Sequence, residues 1–280
     1  MEYSRTIKFF NNANVDIKYY EKHNSAKDNN ISRYDDYKIS IRLTDGLFAV
    51  LDTQIIGDEK GDVLLFAPDE IHFGKFSKAG LYRYIHLFVP VDFCDEICNT
   101  YPSLKKLFAK DCPQRTNCLR GNEKQKEKII NIGEAIVKKL KEETEDDFPL
   151  ACDIIKLLLT CANISDNESG SPTNRISPYT QFAIEYINNH YPEKINTAEI
   201  AKKAGCSTVY LSKVFKKNTG KPIYTYLTEY RISKSTLLLK NGANVTEACY
   251  NVGFGDCSNF IRTFKKITGT SPLKYKKLTD

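Results

Sequence analysis

Asn259 and Arg262 stand three residues apart in GFGDCSNFIRTFKKITGTSP, the stretch that begins at Gly253. An arginine fork can bind guanine and a carboxamide can bind adenine, each through two hydrogen bonds to a base edge. On a helix this spacing puts both side chains on one surface, with Cys257 and Ser258 in the same first turn. Phe260 and Phe264, four apart, mark the face that must be buried. The arrangement is written twice. GCSTVYLSKVFKKNTGKP begins at Gly205, and the offset is 49 residues both from Phe215 to Phe264 and from Gly220 to Gly269. In the earlier copy Leu211, Val214 and Phe215 form the inner stripe. Thr208, Val209, Ser212, Lys213, Lys216 and Lys217 fall outside it. One polar or cationic side chain on a helix is ordinarily just solvated; the repetition of the whole pattern is what points to a nucleic acid.

The elements that must hold these helices are legible on either side. NTAEIAKKAG (196–205) reads as a short helix stopped by Gly205, and Ser207 can cap the helix that follows. NVTEACYNVGF (244–254) repeats that element, ending at Gly253, with Asp256 as the next cap. Two short helices joined by a glycine-containing turn make a helix-turn-helix, whose second helix suits the major groove. Between the units, KPIYTYLTEYRISKSTLLLKNG predicts one helix, with Pro222 in its first turn and Asn241-Gly242 at its end. About 20 residues at ~1.5 Å each give a rod of about 30 Å. Successive major grooves on one face of DNA are about 34 Å apart. The spacing therefore predicts two recognition helices in neighbouring grooves from a single chain.

Charge supports the same division. The net charge is +6, but residues 178–280 carry 16 Lys and Arg against 7 Asp and Glu, while residues 1–177 carry 25 against 28. A +9 C-terminal third beside a −3 remainder is the electrostatic footprint of a nucleic-acid-binding domain joined to something else.

The C-terminal hundred residues resemble the DNA-binding domain of the AraC/XylS family of transcription regulators. The resemblance rests on SxxYLSKVFKKxTGKP in the first unit, YRISKSTLLL in the connecting helix and VGFGDCSNFIRTFKKITGTSPLKYK in the second unit. By matching positions, it implies base contacts from Val209, Ser212 and Lys213, and from Cys257, Ser258, Asn259 and Arg262. Lys216, Lys217, Lys265, Lys266 and Lys274 are expected on phosphates, where they supply affinity and not sequence choice. The family carries Ile-Ala where this chain has Ala248-Cys249, which removes apolar bulk and predicts looser packing. The resemblance also implies contact with RNA polymerase and an association into homodimers.

The N-terminal half has a different texture. YKISIRL, LFAVLDTQII, DVLLFAPDEIHF and LYRYIHLFV are strand-length runs separated by DG, GDEKGD and KAG. GDVLLFAPDEIHFGKF (61–76) resembles the second conserved stretch of cupin β-barrels, with Gly61, Pro68 and His72 in matching places. Cupin domains at this position in the family bind a small-molecule effector. His72, Tyr82, Tyr84 and His86 are the candidate ligand contacts, since alternation along LYRYIHLFV puts Tyr82, Tyr84, His86 and Phe88 on one face. Which face points inward is left open. A sugar or another polar ligand suits such a face, and a fatty-acid-like effector is a further candidate.

Catalysis is not expected. Cupin enzymes present an HxH pair and a Glu on an earlier strand, and RLTDGLFAVLDTQII has no histidine. The four histidines of the chain are at 23, 72, 86 and 190. Its nine cysteines include no CxxC pair, so metal, cofactor and disulfide readings give way to reduced thiols acting as small hydrophobes. Cys257 on a base-facing helix could also serve as a redox sensor. No apolar run is long enough to span a membrane, and the N-terminus lacks the apolar core of a secretory signal, so a cytoplasmic location is expected.

The expected fold is thus α+β. A cupin-like β-barrel sensor occupies residues 1–92, a helical dimerisation region 93–164 (whose helices can equally be read as packing on the β-domain), a polar linker 165–177 and an all-α double helix-turn-helix domain 178–280. An effector-independent DNA-binding protein, controlled by a protein partner through its N-terminal half, is the alternative.

Overall fold

The computed structural model describes residues 1–9, 13–24, 31–32, 34–51, 54–57, 59–68, 70, 72–76, 79–108, 116–142, 146–164, 174–175 and 177–277. Most of the 165–177 linker lies outside these residues, as does Cys112.

In the N-terminal half, the described strands form two antiparallel sheets and not one closed barrel. The first contains β1 (Glu2–Lys8), β2 (Asn14–Asn24), β9 (Gly80–Val89), β4 (Tyr37–Arg42), β7 (Val63–Phe66) and β10 (Cys118–Leu119), in that order. The second runs β11 (Asn174–Arg175), β6 (Gln54–Ile56), β5 (Leu47–Leu51), β8 (His72–Phe76) and β3 (Ile31–Ser32). Two of these strands come from segments that carry no strand pattern. β10 lies in the region read as helical, and β11 lies in the linker, where Asn174 pairs with Ile55.

Helices layered on the first sheet explain why it need not close. Alternation sends Ile17 and Tyr19 of β2, Ile39 and Ile41 of β4, and Ile85 and Leu87 of β9 to one side, all almost fully buried. There they share a core with α1 (Val91–Thr100), α2 (Lys105–Phe108), α3 (Glu123–Lys141) and α4 (Phe148–Ala162). Burial of one sheet face under a helical layer meets the same requirement that barrel closure would. α3 starts on a capping box, in which Asn122 accepts from the Gln125 amide and Gln125 accepts from the Asn122 amide. Arg83 of β9 ties the layers together with two bonds to the Glu134 carboxylate of α3, at 2.9 and 2.7 Å.

The C-terminal helices form two small cores on one shared helix. α5 (Pro178–His190), α6 (Thr197–Lys203) and α7 (Thr208–Thr219) pack on the first half of α8 (Ile223–Lys240), around Leu211, Phe215, Ile223, Tyr226 and Leu227. α9 (Val245–Asn251), α10 (Cys257–Thr268) and α11 (Pro272–Lys277) pack on its second half, around Ile232, Leu239, Val252, Phe260 and Phe264. Tyr191 touches both cores, and Arg231 of α8 donates to the Tyr191 and Glu193 carbonyls at 2.7 and 2.6 Å. The smaller Ala248-Cys249 pair is fully buried within the second core. At its far end α8 reaches the N-terminal half, where Lys240 forms an ion pair with Asp35.

The two inter-helix turns differ in what surrounds their glycines. Gly205 has φ +71° with open space around it, whereas at Gly253, φ +86°, an added Cβ would lie 2.4 Å from the Pro192 carbonyl oxygen. Gly205→Ala is therefore expected to cost about 1 kcal/mol, from backbone handedness alone. Gly253→Ala should cost at least ~1 kcal/mol more, because backbone must also move. Equilibrium urea unfolding of the two variants measures the difference, and equal midpoints would contradict it.

Candidate nucleic-acid interface

α7 and α10 are each set by a cap. The Ser207 hydroxyl accepts from the Tyr210 amide at the start of α7. Asp256 accepts from both the Ser258 and Asn259 amides, at 3.0 and 2.9 Å, at the start of α10. Both helices end on a left-handed glycine, Gly220 and Gly269. These features fix where each helix begins and ends, and so which residues lie on its outer surface.

On α7, Val209 is 80% exposed, and Ser212, Lys213, Lys216 and Lys217 are exposed with it. An isopropyl group in water at a helix N-terminus has no local burial to explain it, and it matches a thymine methyl in chemistry. On α10, Ser258 and Arg262 are exposed and Asn259 is half-buried. Arg262 Nη2 donates to Asn259 Oδ1 at 3.3 Å, and the Thr263 hydroxyl lies 3.5 Å from the same oxygen. The two expected base readers are thus already neighbours, and the carboxamide oxygen is partly engaged. Lys265, Lys266 and Lys274 are exposed.

Cys257 departs from the expected outer face. It is half-buried and packs against the second core, which contains Cys249 of α9. Burial and the neighbouring Cys257 thiol push Cys249 up to about 12. Cys249, held in its protonated form, is a poor redox nucleophile.

The structure brings the expected ligand residues together. His72, Tyr84 and His86 belong to one interior between the two sheets. The His72 ring stacks on Phe66 with centroids 3.7 Å apart, and Tyr84 and His86 lie 4.9 Å apart. Tyr82 lies on the same face of β9, buried with Leu47 and Phe76 of the second sheet in a cluster that Tyr84 also packs against. The face of β9 left open by the sequence is settled: Ile85 and Leu87 meet the helices, so Tyr84, His86 and Phe88 face the second sheet. Lys38 and Arg42 of β4 share that interior, buried to 5% and 3% exposure. Alternation in YKISIR did place Lys38, Ser40 and Arg42 on one face, but the run was read for its apolar residues. Among the described residues no cluster of His, Cys, Asp and Glu could hold a metal ion, and no helix is long and apolar enough to cross a membrane.

Comparison with known proteins places these features. A helix-turn-helix domain family model matches residues 200–278. An uncharacterised HTH-type transcriptional regulator, YdeC of Bacillus subtilis, is 40% identical over 98 residues, covering 35% of this chain and 34% of the relative. That match therefore spans about a third of the relative's length. The C-terminal domain of AraT, a response regulator from Geobacillus stearothermophilus, shares 30% identity over 38% of this chain and 88% of its own, at a TM-score of 0.36. The arabinose operon regulatory protein of Escherichia coli is 30% identical over 222 residues, 77% of this chain and 72% of the relative. A likeness of that extent cannot be confined to the repeated C-terminal motif, and with it this chain belongs to the AraC family of DNA-binding transcriptional regulators, which are not enzymes.

Proposed function

We propose that the chain is a ligand-responsive regulator that sets α7 and α10 in successive major grooves of one DNA site. The observation carrying this reading is the doubled helix-turn-helix built on the two halves of α8. Its 18 residues span about 27 Å at ~1.5 Å each, close to the ~34 Å groove repeat. In this reading Val209, Ser212, Lys213, Ser258, Asn259 and Arg262 read bases, with Cys257 supporting α10 from its packed side. Lys216, Lys217, Lys265, Lys266 and Lys274 bind phosphates.

The two-sheet half is read as a cupin-like sensor over residues 1–92, followed by a helical region to 164, a linker to 177 and the DNA-binding domain from 178. Its interior, with His72, Tyr84 and His86, receives the effector. The Lys240–Asp35 ion pair gives an occupied sensor a route to the helix that spaces the two readers. A ligand shifts such a system by the difference in its affinity for the two arrangements. Contact with RNA polymerase comes from family membership.

The helical layer supports a homodimer. Phe148, Tyr101 and Leu159 are 68%, 60% and 50% exposed, and Tyr101 and Leu159 border a cleft of about 490 Å³ with Phe93, Ile97 and Leu158. An apolar surface of this kind asks for a covering partner. A second reading rests on the same surface: a different protein covers it and controls the chain without an effector.

Selection of DNA sequences by the full-length protein tests the function. Two half-elements about one helical turn apart are expected; enrichment of none would overturn the reading. In the same selection Arg262→Ala should lose preference at one base position, costing about 1–3 kcal/mol. Lys266→Ala should weaken all sequences alike and lower the salt slope by about one. An unchanged preference in the first variant, or a sequence-selective loss in the second, would remove the assigned role.

A further inference from the structure

The interior face of the first sheet is basic, and the described residues supply it with almost no counter-charge. Register across β2, β9, β4 and β7 aligns Lys18 with His86, His86 with Ser40, Ser40 with Leu64, and Tyr20 with Tyr84 and Arg42. Lys22, Lys38 and Phe88 fall on the same side by alternation. Lys38 and Arg42 are the unusual members, because lysine and arginine are almost never fully buried unless paired.

Neither has a carboxylate partner among the described residues. Lys38 Nζ lies 3.0 Å from His72 Nε2 and over the Tyr34 and Phe66 rings, at 4.7 and 5.1 Å from their centroids. His72 Nδ1 lies 3.1 Å from the Glu70 carbonyl and so carries the proton, leaving Nε2 as the acceptor for Lys38. Arg42 donates to Ser40 Oγ at 2.9 Å and to the Gly57 carbonyl at 3.4 Å. Among the described carboxylates, Asp62 takes Arg120 through both oxygens, Glu70 accepts from the Ala67 amide and the Asn117 carboxamide, and Glu2 lies 3.9 Å from Lys22.

The electrostatic consequences agree with this geometry. Burial, then the charge of Arg42, holds Lys38 well below the usual lysine range. Burial lowers Arg42 to about 10. His86 is held well below its ordinary value by burial, then by Lys38, Arg42, His72 and Lys22.

We infer that this interior is a binding site for a small organic oxyanion, a carboxylate or a phosphate ester, whose charged group sits at Ser40 and His86 between Lys38 and Arg42. The inference rests on the sensor reading above and names the ligand class for it. Removing a cation from water without a partner is costly, and an anion entering the site offsets that cost through charge-assisted hydrogen bonds. The stacked Tyr20 and Tyr84 rings, 4.9 Å apart and each about 5 Å from His86, offer the organic body an aromatic wall. A neutral sugar would leave both cations unpaired.

The test follows the imidazole nitrogens of full-length protein by NMR, with 15N-labelled histidine. The four histidines are assigned by single His→Gln variants. Inorganic phosphate and sodium acetate are titrated separately against sodium chloride at matched ionic strength and pH. Saturable shifts of His72 and His86, with His23 and His190 unmoved, are expected from at least one oxyanion, and the stronger arm tells phosphate from carboxylate. Lys38→Met and Arg42→Met should each weaken the response by about tenfold or more. If one variant does not fold, the other carries the comparison. Absence of a His72 or His86 shift with both anions overturns the inference, as does a response undiminished in a folded variant. DNA selection on the same preparation separates the failures: a retained motif without histidine shifts sinks the anion site alone, whereas loss of the motif sinks the regulator reading beneath it.

Discussion

Everything in the DNA-binding half depends on α8 being buried on two sides. Ile223, Tyr226 and Leu227 belong to the core under α7, and Ile232 and Leu239 to the core under α10. A surface helix needs one apolar stripe; this one changes the direction of its stripe midway, and Ser233, Ser235 and Thr236 are buried along it. The Ser235 and Thr236 hydroxyls donate to the carbonyls of Ile232 and Ser233, whereas the buried Ser233 hydroxyl has no hydrogen-bond partner among the described residues. Because α7 and α10 each pack on their own half of a continuous helix, the distance between them is fixed by the helical rise and not by a flexible joint.

The N-terminal half divides its labour between the two faces of one sheet. Tyr37, Ile39 and Ile41 bind the helical layer, while Lys38, Ser40 and Arg42, the alternate residues of the same six, face the second sheet. Strand alternation thus separates the residues that hold the fold from those that give the interior its charge. The Lys240–Asp35 contact joins this half to the end of α8 farthest from α7, which places the two-sheet half beside the unit that carries Asn259 and Arg262.

Some elements were legible because their signals are local. Caps at Ser207 and Asp256, terminal glycines and paired phenylalanines each act over a single turn, and their duplication excluded coincidence. β1 and β2 were less legible, since Lys, Glu and Asp interrupt their apolar positions. β10 and β11 carry no pattern at all: two residues are too few, and they are strands only because β7 and β6 offer unpaired edges. The side chain of Cys257 was likewise assigned to the outer face by spacing, yet it is half-buried against the second core.

By itself, the sequence determined the doubled helix-turn-helix, the charge asymmetry and the candidate base-reading residues, because a 3.6-residue period and a capping residue act between neighbours in the chain. Tertiary structure decided which face of β9 is inward, that two sheets and a helical layer replace a closed barrel, and that Lys38 and Arg42 share an interior with His72 and His86. Those outcomes depend on contacts between segments tens of residues apart. An alternating strand is symmetric until something packs on one of its faces, and only the helices α1 to α4 break that symmetry.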